Sequence, residues 1–257
     1  MISVVCVYNN ENILNNWLLK SLKNQTVEFE LIKIDNTRNT FKSAAKALNY
    51  GGKKAKGKYI MFVHQDVDLS SNTFLEEVEK VLDELPNLGI AGVAGKKDEK
   101  GVMTVIKHGD PPKLAGEIYI DKPTEVQTLD ECLVIIPKSV FSKLQFDEKC
   151  CDSWHLYTVD YCLSQARLGL SAYVIPMFVY HKFTGASNKS RFQTILSLGS
   201  LPDGYYQTLG KLLKKHKNHV NRVYTTTGDW STSYPLILQR TGFLAKGGLK
   251  LLLRGSG

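Results

Sequence analysis

The chain has 257 residues, enough for one large domain or for a domain with an appendage. Its apolar content of 43% and charged content of 23% are ordinary for a globular protein and argue against disorder along the whole chain. We find no run near the roughly 20 apolar residues that span a bilayer, and we expect no signal peptide at the N-terminus. The formal net charge of +8 comes largely from local lysine clusters. A basic surface attracts nucleotides, nucleic acid or anionic lipids, although solvated surface charge is its commonest meaning.

The five cysteines are odd in number, and their spacings match no zinc-binding pattern. Cys6, Cys132 and Cys162 stand in apolar stretches, so we expect them to be buried as small hydrophobic residues. Cysteines of this kind predict a reducing, cytoplasmic compartment.

The first half of the chain alternates strands with helices. Apolar runs predict strands at 2–7, 31–34, 59–63 and 89–95. Helical spacing predicts three helices, from Ile13 to Leu22, from Phe41 to the Gly51-Gly52 pair, and from a capping box at Thr73 to Leu85. This alternation predicts an α/β fold with a mainly parallel sheet and helices on both faces.

The second half is less regular. It predicts a strand at 132–136 with a short helix to Leu144, a helix at 158–168 and an extended stretch at 172–181. From about residue 200 the pattern changes to lysine-rich amphipathic segments. We therefore divide the chain into a domain at 1–200 and a basic amphipathic helical extension at 201–257.

The turn after the first strand narrows the possible chemistry. It reads Tyr8-Asn9-Asn10-Glu11 and has no glycine, which argues against a dinucleotide-binding fingerprint and against a P-loop. The strand at 59–63 instead delivers His64, Asp66 and Asp68 to its carboxyl end. Open α/β sheets bind ligands at that edge, and oxygen ligands there suit a divalent cation with the phosphates that it bridges.

The order of several short motifs resembles glycosyltransferase family 2, whose members adopt the GT-A nucleotide-diphospho-sugar transferase fold. The resemblance covers roughly residues 2–188. It is carried by Val7-Tyr8-Asn9, Ile34-Asp35-Asn36, Asn49, Ala55-Lys56-Gly57-Lys58-Tyr59, His64-Gln65-Asp66-Val67, Trp154-His155-Leu156-Tyr157 with Asp160, Gly169, and His181-Lys182-Phe183-Thr184-Gly185. The second half is most similar to the subgroup with a His-Gln-Asp-Val motif.

The chain departs from the usual family pattern at two places. His64 stands where the common Asp-x-Asp motif has its first acid. The Glu-Asp pair common near the catalytic helix is absent, with Thr158 where an acid would stand and Asp160 as the nearest matching carboxylate.

The resemblance implies a site for Mn²⁺ or Mg²⁺. Asp66 is the expected ligand, with Asp68 as a second ligand or a capping residue for the turn at Ser70. His64 would contact the metal or the donor, or simply end the strand. His181 would complete the metal site, with a structural histidine as the alternative.

The resemblance also implies contacts to a nucleotide-sugar donor. Asp35 would accept a hydrogen bond from the base or ribose, or else form an Asx turn. Tyr8 would stack on the base or lie at the rim. Lys56 is the lysine of the 53–58 cluster that we expect to reach the diphosphate.

Asp160 is the expected general base, with a structural charge as the alternative and Asp152 as the substitute base. Trp154 would support an acceptor sugar or belong to the core, and His155 would orient a carboxylate.

These expectations define an inverting, metal-dependent glycosyltransferase acting on a UDP-sugar and a saccharide, glycoconjugate or lipid-linked acceptor, as in surface-polysaccharide assembly. The alternative from another class is a non-catalytic sugar-nucleotide or glycan-binding module. A nucleotidyltransferase or a nucleic-acid-binding protein fits less well, since a basic glycine-rich first loop and interleaved aromatic residues are lacking. The basic C-terminal segment predicts peripheral contact with the inner face of a membrane, or else a helical cap or a homodimer contact.

Overall fold

The structure is a computed structural model, and it describes residues 1–182 and 201–242. The helices are α1 (Glu11–Asn16), α2 (Leu18–Leu22), α3 (Ala44–Gly52), α4 (Phe74–Glu84), α5 (Lys138–Phe141), α6 (Tyr157–Ala166) and α7 (Asp203–His216). The strands are β1 (Ile2–Tyr8), β2 (Phe29–Asp35), β3 (Tyr59–Val63), β4 (Val67–Asp68), β5 (Leu88–Gly92), β6 (Ala94–Lys96), β7 (Val102–Thr104), β8 (Ile106–His108), β9 (Lys113–Leu114), β10 (Ile118–Tyr119), β11 (Thr124–Val126), β12 (Thr128–Leu129), β13 (Leu133–Pro137), β14 (Ser171–Val174), β15 (Val179–His181), β16 (Arg222–Thr225) and β17 (Gly228–Ser231).

A seven-stranded sheet with the order β11-β14-β5-β13-β3-β1-β2 forms the centre of the fold. Strands β1, β2 and β3 are parallel, as are β5 and β14, whereas β13 runs antiparallel to both β3 and β5. All residues of β3 and the first five of β1 are buried, which is typical of strands covered on both faces. The predicted α/β fold with a mainly parallel sheet is confirmed.

Helix α3 begins after a capping serine and ends in two glycines. The side chain of Ser43 caps its first turn by accepting the N–H of Lys46 at 3.4 Å. At its end, a Cβ added to Gly52 would lie 2.5 Å from the ring of Phe141, so only glycine allows this close packing on α5. The predicted start at Phe41 is too early, because the Phe41 N–H donates to the side chain of Asn36 at 2.8 Å outside the helix.

Helix α4 buries the predicted apolar face, including Leu75, Val78 and Leu82. The predicted capping box does not form. Thr73 occupies the cap position without a cap hydrogen bond, and its hydroxyl donates to Glu77 instead.

The region after residue 200 is more than a helical extension. Helix α7 buries Leu209, Leu212 and Leu213, so its apolar face packs on the protein. Strands β16 and β17 then form an antiparallel hairpin that the sequence did not predict. The last described residues, 236–242, are helical. The predicted amphipathic residues from Phe243 onward lie outside the described residues, as does the loop after Lys182.

The hairpin is docked on the edge of a smaller sheet with the order β10-β7-β6-β12. Lys96 of β6 forms a 2.6 Å ion pair with Asp229 of β17. The Gln127 side chain donates to the Arg222 carbonyl at 2.9 Å, and the Thr226 hydroxyl donates to Asp130 at 2.9 Å. These contacts join the C-terminal region to β6, to the residue before β12 and, through Asp130, to the loop that precedes β13.

All five cysteines are buried and none forms a disulfide, as predicted for Cys6, Cys132 and Cys162. Among the residues that the structure describes, none of the helices has the length and apolar character needed to cross a bilayer.

Candidate donor and metal site

A cleft of about 540 Å³ opens at the carboxyl ends of β1, β2 and β3, because parallel strands end at the same edge of a sheet. Its lining combines residues from these strand ends, from α3 and from the turn before α6. They are Val7, Tyr8, Asn9, Asn36, Thr37, Asn39, Ala44, Leu48, Phe62, Val63, His64, Gln65, Asp66, Trp154 and Tyr157.

A cluster of two imidazoles and one carboxylate lies at one end of the cleft. His64 and Asp66 follow β3, while His181 ends β15, which pairs antiparallel with β4. One potential ligand atom from each of the three side chains lies within 4.8 Å of the others. The structure therefore brings three of the predicted metal-site residues together.

The electrostatics favour a neutral His64 and an ionised Asp66, the forms that bind a cation, whereas without a cation they favour a protonated His181. Burial lowers the pKa of His64, which favours the neutral imidazole. Burial opposes ionisation of Asp66, yet the neighbouring His181 and His64 lower its pKa overall. Burial likewise opposes the charge on His181, but Asp66 raises its pKa overall.

The residues fit a divalent cation. His181 Nε2 lies 3.2 Å from Asp66 Oδ1, but this buried nitrogen makes no aligned hydrogen bond within the described part of the chain. Buried polar atoms are normally satisfied. Adjacent ligands at ~2.1 Å from one octahedral ion lie about 3 Å apart, so the observed spacing suits two atoms that share an ion.

Gln65 is a residue of this site whose role the sequence did not reveal. Its Oε1 accepts the backbone N–H groups of Asn9 and Asn10 at 3.1 and 3.0 Å, and its Nε2 donates to Asn9 Oδ1 at 2.7 Å. Gln65 thus fixes the loop after β1 against the end of β3. The His-Gln-Asp motif was the available signal.

Tyr8 lines the cleft, whereas Asp35 stands at its exposed edge and is not part of the lining. The N–H and hydroxyl of Thr37 donate to Asp35 at 2.8 and 2.7 Å and lower its pKa. Asp35 therefore forms an Asx turn, which is the alternative to the donor contact. The next two residues, Asn36 and Thr37, line the cleft.

The turn before α6 separates the cleft from a second cavity of about 210 Å³. Trp154 and Tyr157 line the cleft, so the predicted acceptor residue Trp154 faces the cleft and not the second cavity. His155 lines the second cavity, where burial lowers its pKa. The second cavity also touches Glu131.

Glu131 was missed by the sequence reasoning. Its Oε1 accepts the Tyr157 N–H at 3.0 Å, at the N-terminus of α6. Burial, together with the charge of Asp130, raises its pKa well above the ordinary value. The Asp130-Glu131 pair before a predicted strand was the signal, but its location depends on the antiparallel direction of β13, which sequence periodicity does not give.

Asp160, the predicted general base, does not line the cleft or the second cavity. It is 1% exposed, and its carboxylate contacts Lys215 at 2.7 Å and His216 at 2.8 Å. This placement favours the structural alternative. The substitute base Asp152 is exposed and pairs with Lys211 at 2.5 Å, also outside the cleft.

Two further predicted residues lie away from the site. Asp68 is outside the histidine–aspartate cluster, and its carboxylate accepts the Ser70 N–H at 2.7 Å, as in the capping alternative. Lys56 precedes β3 and so lies at the opposite, amino edge of the sheet, where its N–H donates to Glu30 at 2.8 Å. From there it does not face the cleft.

A family model described as "Glycosyltransferase like family" matches residues 3–182. The chain is also 26% identical over 134 residues to "ATP synthase subunits region ORF 6" of Fuscovulum blasticum, a match that covers 50% of this chain and 53% of that protein. The chain thus matches about half the length of this curated relative.

Solved structures share the fold at low sequence identity. The mannosyltransferase PcManGT of Pyrobaculum calidifontis in complex with GDP-Man and Mn²⁺ has a TM-score of 0.57 at 12% identity, covering 99% of this chain and 74% of that one. S. aureus TarS 1–349 with UDP-GlcNAc has a TM-score of 0.55 at 15% identity, covering 97% and 72%.

GalNAc-T7 with UDP, GalNAc and Mn²⁺ has a TM-score of 0.55 at 14% identity, covering 84% of this chain and 48% of that one. The predicted GT-A fold is confirmed by these similarities. Because the family model spans well over half of the sequence, the chain belongs to this glycosyltransferase-like family.

Proposed function

We propose that the chain is an inverting, metal-dependent glycosyltransferase that moves a sugar from a nucleotide sugar, with a UDP-sugar as the first candidate, to a saccharide or glycoconjugate acceptor. The observation that carries this proposal is the convergence of His64, Asp66 and His181 at the end of a 540 Å³ cleft. Membership in a glycosyltransferase-like family supports the reaction class.

The cleft is the proposed donor site. Tyr8 and the Asn36-Thr37 edge would receive the nucleoside, and the histidine–aspartate cluster would hold Mn²⁺ or Mg²⁺ next to the diphosphate. A cation held there supplies positive charge that offsets the charge of the departing nucleoside diphosphate. Similar folds crystallised with UDP or GDP-Man and Mn²⁺ support this choice of ligand.

The test uses a panel of UDP- and GDP-sugars, each with Mn²⁺ and a panel of aryl glycosides as acceptors. We expect one donor to raise the melting temperature in a Mn²⁺-dependent way and to release its nucleoside diphosphate when an acceptor is present. Asp66→Asn should lose both effects.

Asp68→Asn is the matched control, since this carboxylate caps a turn two residues away and lies outside the cluster. It should retain both effects. If Asp66→Asn behaves like Asp68→Asn, the metal role of the cluster is rejected.

The alternative function is a non-catalytic sugar-nucleotide-binding module. The observation that favours it is His64, which occupies a position where the family pattern has an acid. Mn²⁺-dependent nucleotide binding with neither transfer nor donor hydrolysis across the whole panel would support this alternative and contradict the enzyme.

We also propose that the protein acts in the cytoplasm, at the inner face of a membrane, in surface-polysaccharide or glycoconjugate synthesis. The apolar face of helix α7 is buried and does not contact a membrane. The proposal rests instead on Tyr234, Ile237 and Leu238, which are 68%, 66% and 64% exposed, with Arg240 close to them in the sequence. Exposed apolar residues suit insertion into a membrane surface, while Arg240 pairs with Asp203 at 2.9 Å.

Co-sedimentation with phosphatidylglycerol vesicles tests the membrane contact. The double variant Ile237→Glu, Leu238→Glu should stay in the supernatant, while Leu168→Glu, which changes an equally exposed leucine elsewhere, should sediment like the parent chain. Absence of sedimentation of the parent chain at low salt would reject the contact.

A further inference from the structure

The second cavity has a lining of both apolar and polar residues. It lies between the loop before β13, the turn before α6, the start of α7 and the turn of the β16–β17 hairpin. Its polar lining consists of two carboxylates, an imidazole and hydroxyls: Asp130, Glu131, His155, Tyr205, Thr225, Thr226 and Thr227. At about 210 Å³ it is smaller than the roughly 300–1,000 Å³ of typical ligand pockets, which suits one sugar ring.

The cavity lies close to the histidine–aspartate cluster of His64, Asp66 and His181. Strand β13 runs antiparallel to β3, so the residues that precede β13 lie at the same sheet edge as those that follow β3. The His64 N–H donates to the Cys132 carbonyl at 3.0 Å, which places Glu131 one residue further along this edge. Residues 154–157 border both spaces, since Trp154 and Tyr157 line the cleft while His155 and Leu156 line the cavity.

Both carboxylates of this cavity accept hydrogen bonds, and Glu131 is the one that contacts the turn between the cavity and the cleft. Asp130 is engaged through both oxygens, since Oδ1 accepts the Cys132 N–H and Oδ2 accepts the Thr226 hydroxyl, each at 2.9 Å. Glu131 Oε1 is oriented by the Tyr157 N–H at 3.0 Å. The backbone N–H groups of residues 156–158 and the positive end of the α6 dipole stabilise its ionised form, but burial and Asp130 raise its pKa overall, which makes the carboxylate a stronger base.

The one acid in the first turn of this helix, Asp160, has structural partners and lies outside the cavity. Thr158 has a buried hydroxyl with no hydrogen-bond partner within the described residues, and Asp160 is held by Lys215 and His216. Glu131, in the loop before β13, is therefore the carboxylate that lies at the N-terminus of α6 and also lines the cavity.

We propose that the second cavity is the acceptor subsite for a saccharide and that Glu131 is the general base. This inference rests on the proposed glycosyltransferase function. The Glu131 carboxylate takes the proton of the acceptor hydroxyl and becomes a carboxylic acid. The acceptor oxygen forms the new bond to the anomeric carbon with its electron pair, while the bond from that carbon to the diphosphate breaks and its electron pair leaves with the nucleoside diphosphate.

The kinetic test compares Glu131→Gln, Glu131→Asp and Asp152→Asn with the parent chain, using the donor and aryl glycoside that react. Glu131→Gln should lower kcat about 10²- to 10⁴-fold and leave Mn²⁺-dependent stabilisation by UDP unchanged. Glu131→Asp should recover part of the rate. Asp152→Asn should keep kcat within a factor of about three, because Asp152 is an exposed acid outside both spaces.

A Glu131→Gln variant with an unchanged kcat would overturn the general-base role while leaving the proposed function intact. Loss of UDP stabilisation along with activity in this variant would also overturn it, since the residue would then act through donor binding. No turnover by the parent chain would instead contradict the proposed function.

A binding experiment tests the subsite without turnover. Saturation-transfer NMR with methyl glycosides, UDP and Mg²⁺ should detect a bound sugar in the parent chain. Leu201→Trp, which fills the cavity, should abolish the signal, and Leu168→Trp on the exposed surface should preserve it. No bound glycoside in the parent chain, or equal binding by Leu201→Trp, would overturn the assignment.

Discussion

The imidazole of His216 contacts the buried carboxylate of Asp160, with 2.8 Å between Nε2 and Oδ1. Lys215 lies 2.7 Å from the other oxygen, so two consecutive residues at the end of α7 bind one side chain of α6. This contact attaches the C-terminal region to the core of the fold. Asp160, in the first turn of α6, is therefore bound by structural partners and is not exposed to a substrate.

Asp160→Ala is expected to destabilise the protein strongly. The change removes the partner of the buried His216 and one of the two carboxylates that hold Lys215, and breaking a buried pair costs about 3–5 kcal/mol. Asp152→Ala breaks an exposed pair and should cost less than about 1 kcal/mol. Urea unfolding of both variants measures the difference, and a small, equal loss for the two would contradict the structural role of Asp160.

The ligand set predicts a preference for Mn²⁺ over Mg²⁺. Mg²⁺ strongly prefers oxygen ligands, whereas two of the three side chains here offer imidazole nitrogen. Half-maximal UDP stabilisation should therefore require less Mn²⁺ than Mg²⁺, and His181→Asp should narrow this difference. Equal titration midpoints for the two cations in the parent chain would argue against coordination by the histidines.

Tyr8→Ala is expected to weaken UDP binding, because Tyr8 lines the cleft and an aromatic contact is worth about 1 kcal/mol, or about fivefold in Kd. Lys56→Ala should leave Kd unchanged, since Lys56 lies at the amino edge of the sheet. Calorimetric titration with UDP and Mn²⁺ compares the two. The reverse order of effects would contradict the position of the donor site.

Glu131→Gln is expected to stabilise the protein increasingly as pH rises. The pKa of Glu131 in the folded chain is raised by burial and by Asp130, so above the ordinary glutamate pKa of about 4.3 the unfolded chain releases its proton first. Stability of the parent chain is then lost as pH rises from there through the raised pKa, and glutamine removes this loss. Urea unfolding in EDTA between pH 5 and 8 should reveal a growing difference, and a constant difference would contradict the raised pKa.

The part of the site that could be predicted from the sequence comes from one parallel strand. The apolar run of β3 locates His64 and Asp66 at the carboxyl end, and that edge of a parallel sheet is where ligands bind. Lys56 could have been excluded by the same rule, because a residue before a parallel strand lies at the other edge. His181 required the resemblance, since β15 reaches the cluster by pairing with β4.

The remaining features depend on contacts between distant segments. The role of Glu131 follows from the antiparallel direction of β13, and the fate of Asp160 follows from the docking of α7 more than 50 residues later. The hairpin of β16 and β17 lies in a mostly polar stretch with no clear strand pattern, and its position depends on Lys96 and Gln127 in the first half of the chain. Local periodicity carries no information on such pairings.

The central claim is that His64, Asp66 and His181 hold the cation that binds the donor diphosphate. A crystal grown with UDP and Mn²⁺ and measured at the manganese absorption edge tests this directly. We predict one strong anomalous peak between the three side chains, with the diphosphate beside it. A peak elsewhere in the cleft, or a bound UDP whose phosphates lie away from Asp66, would contradict the account.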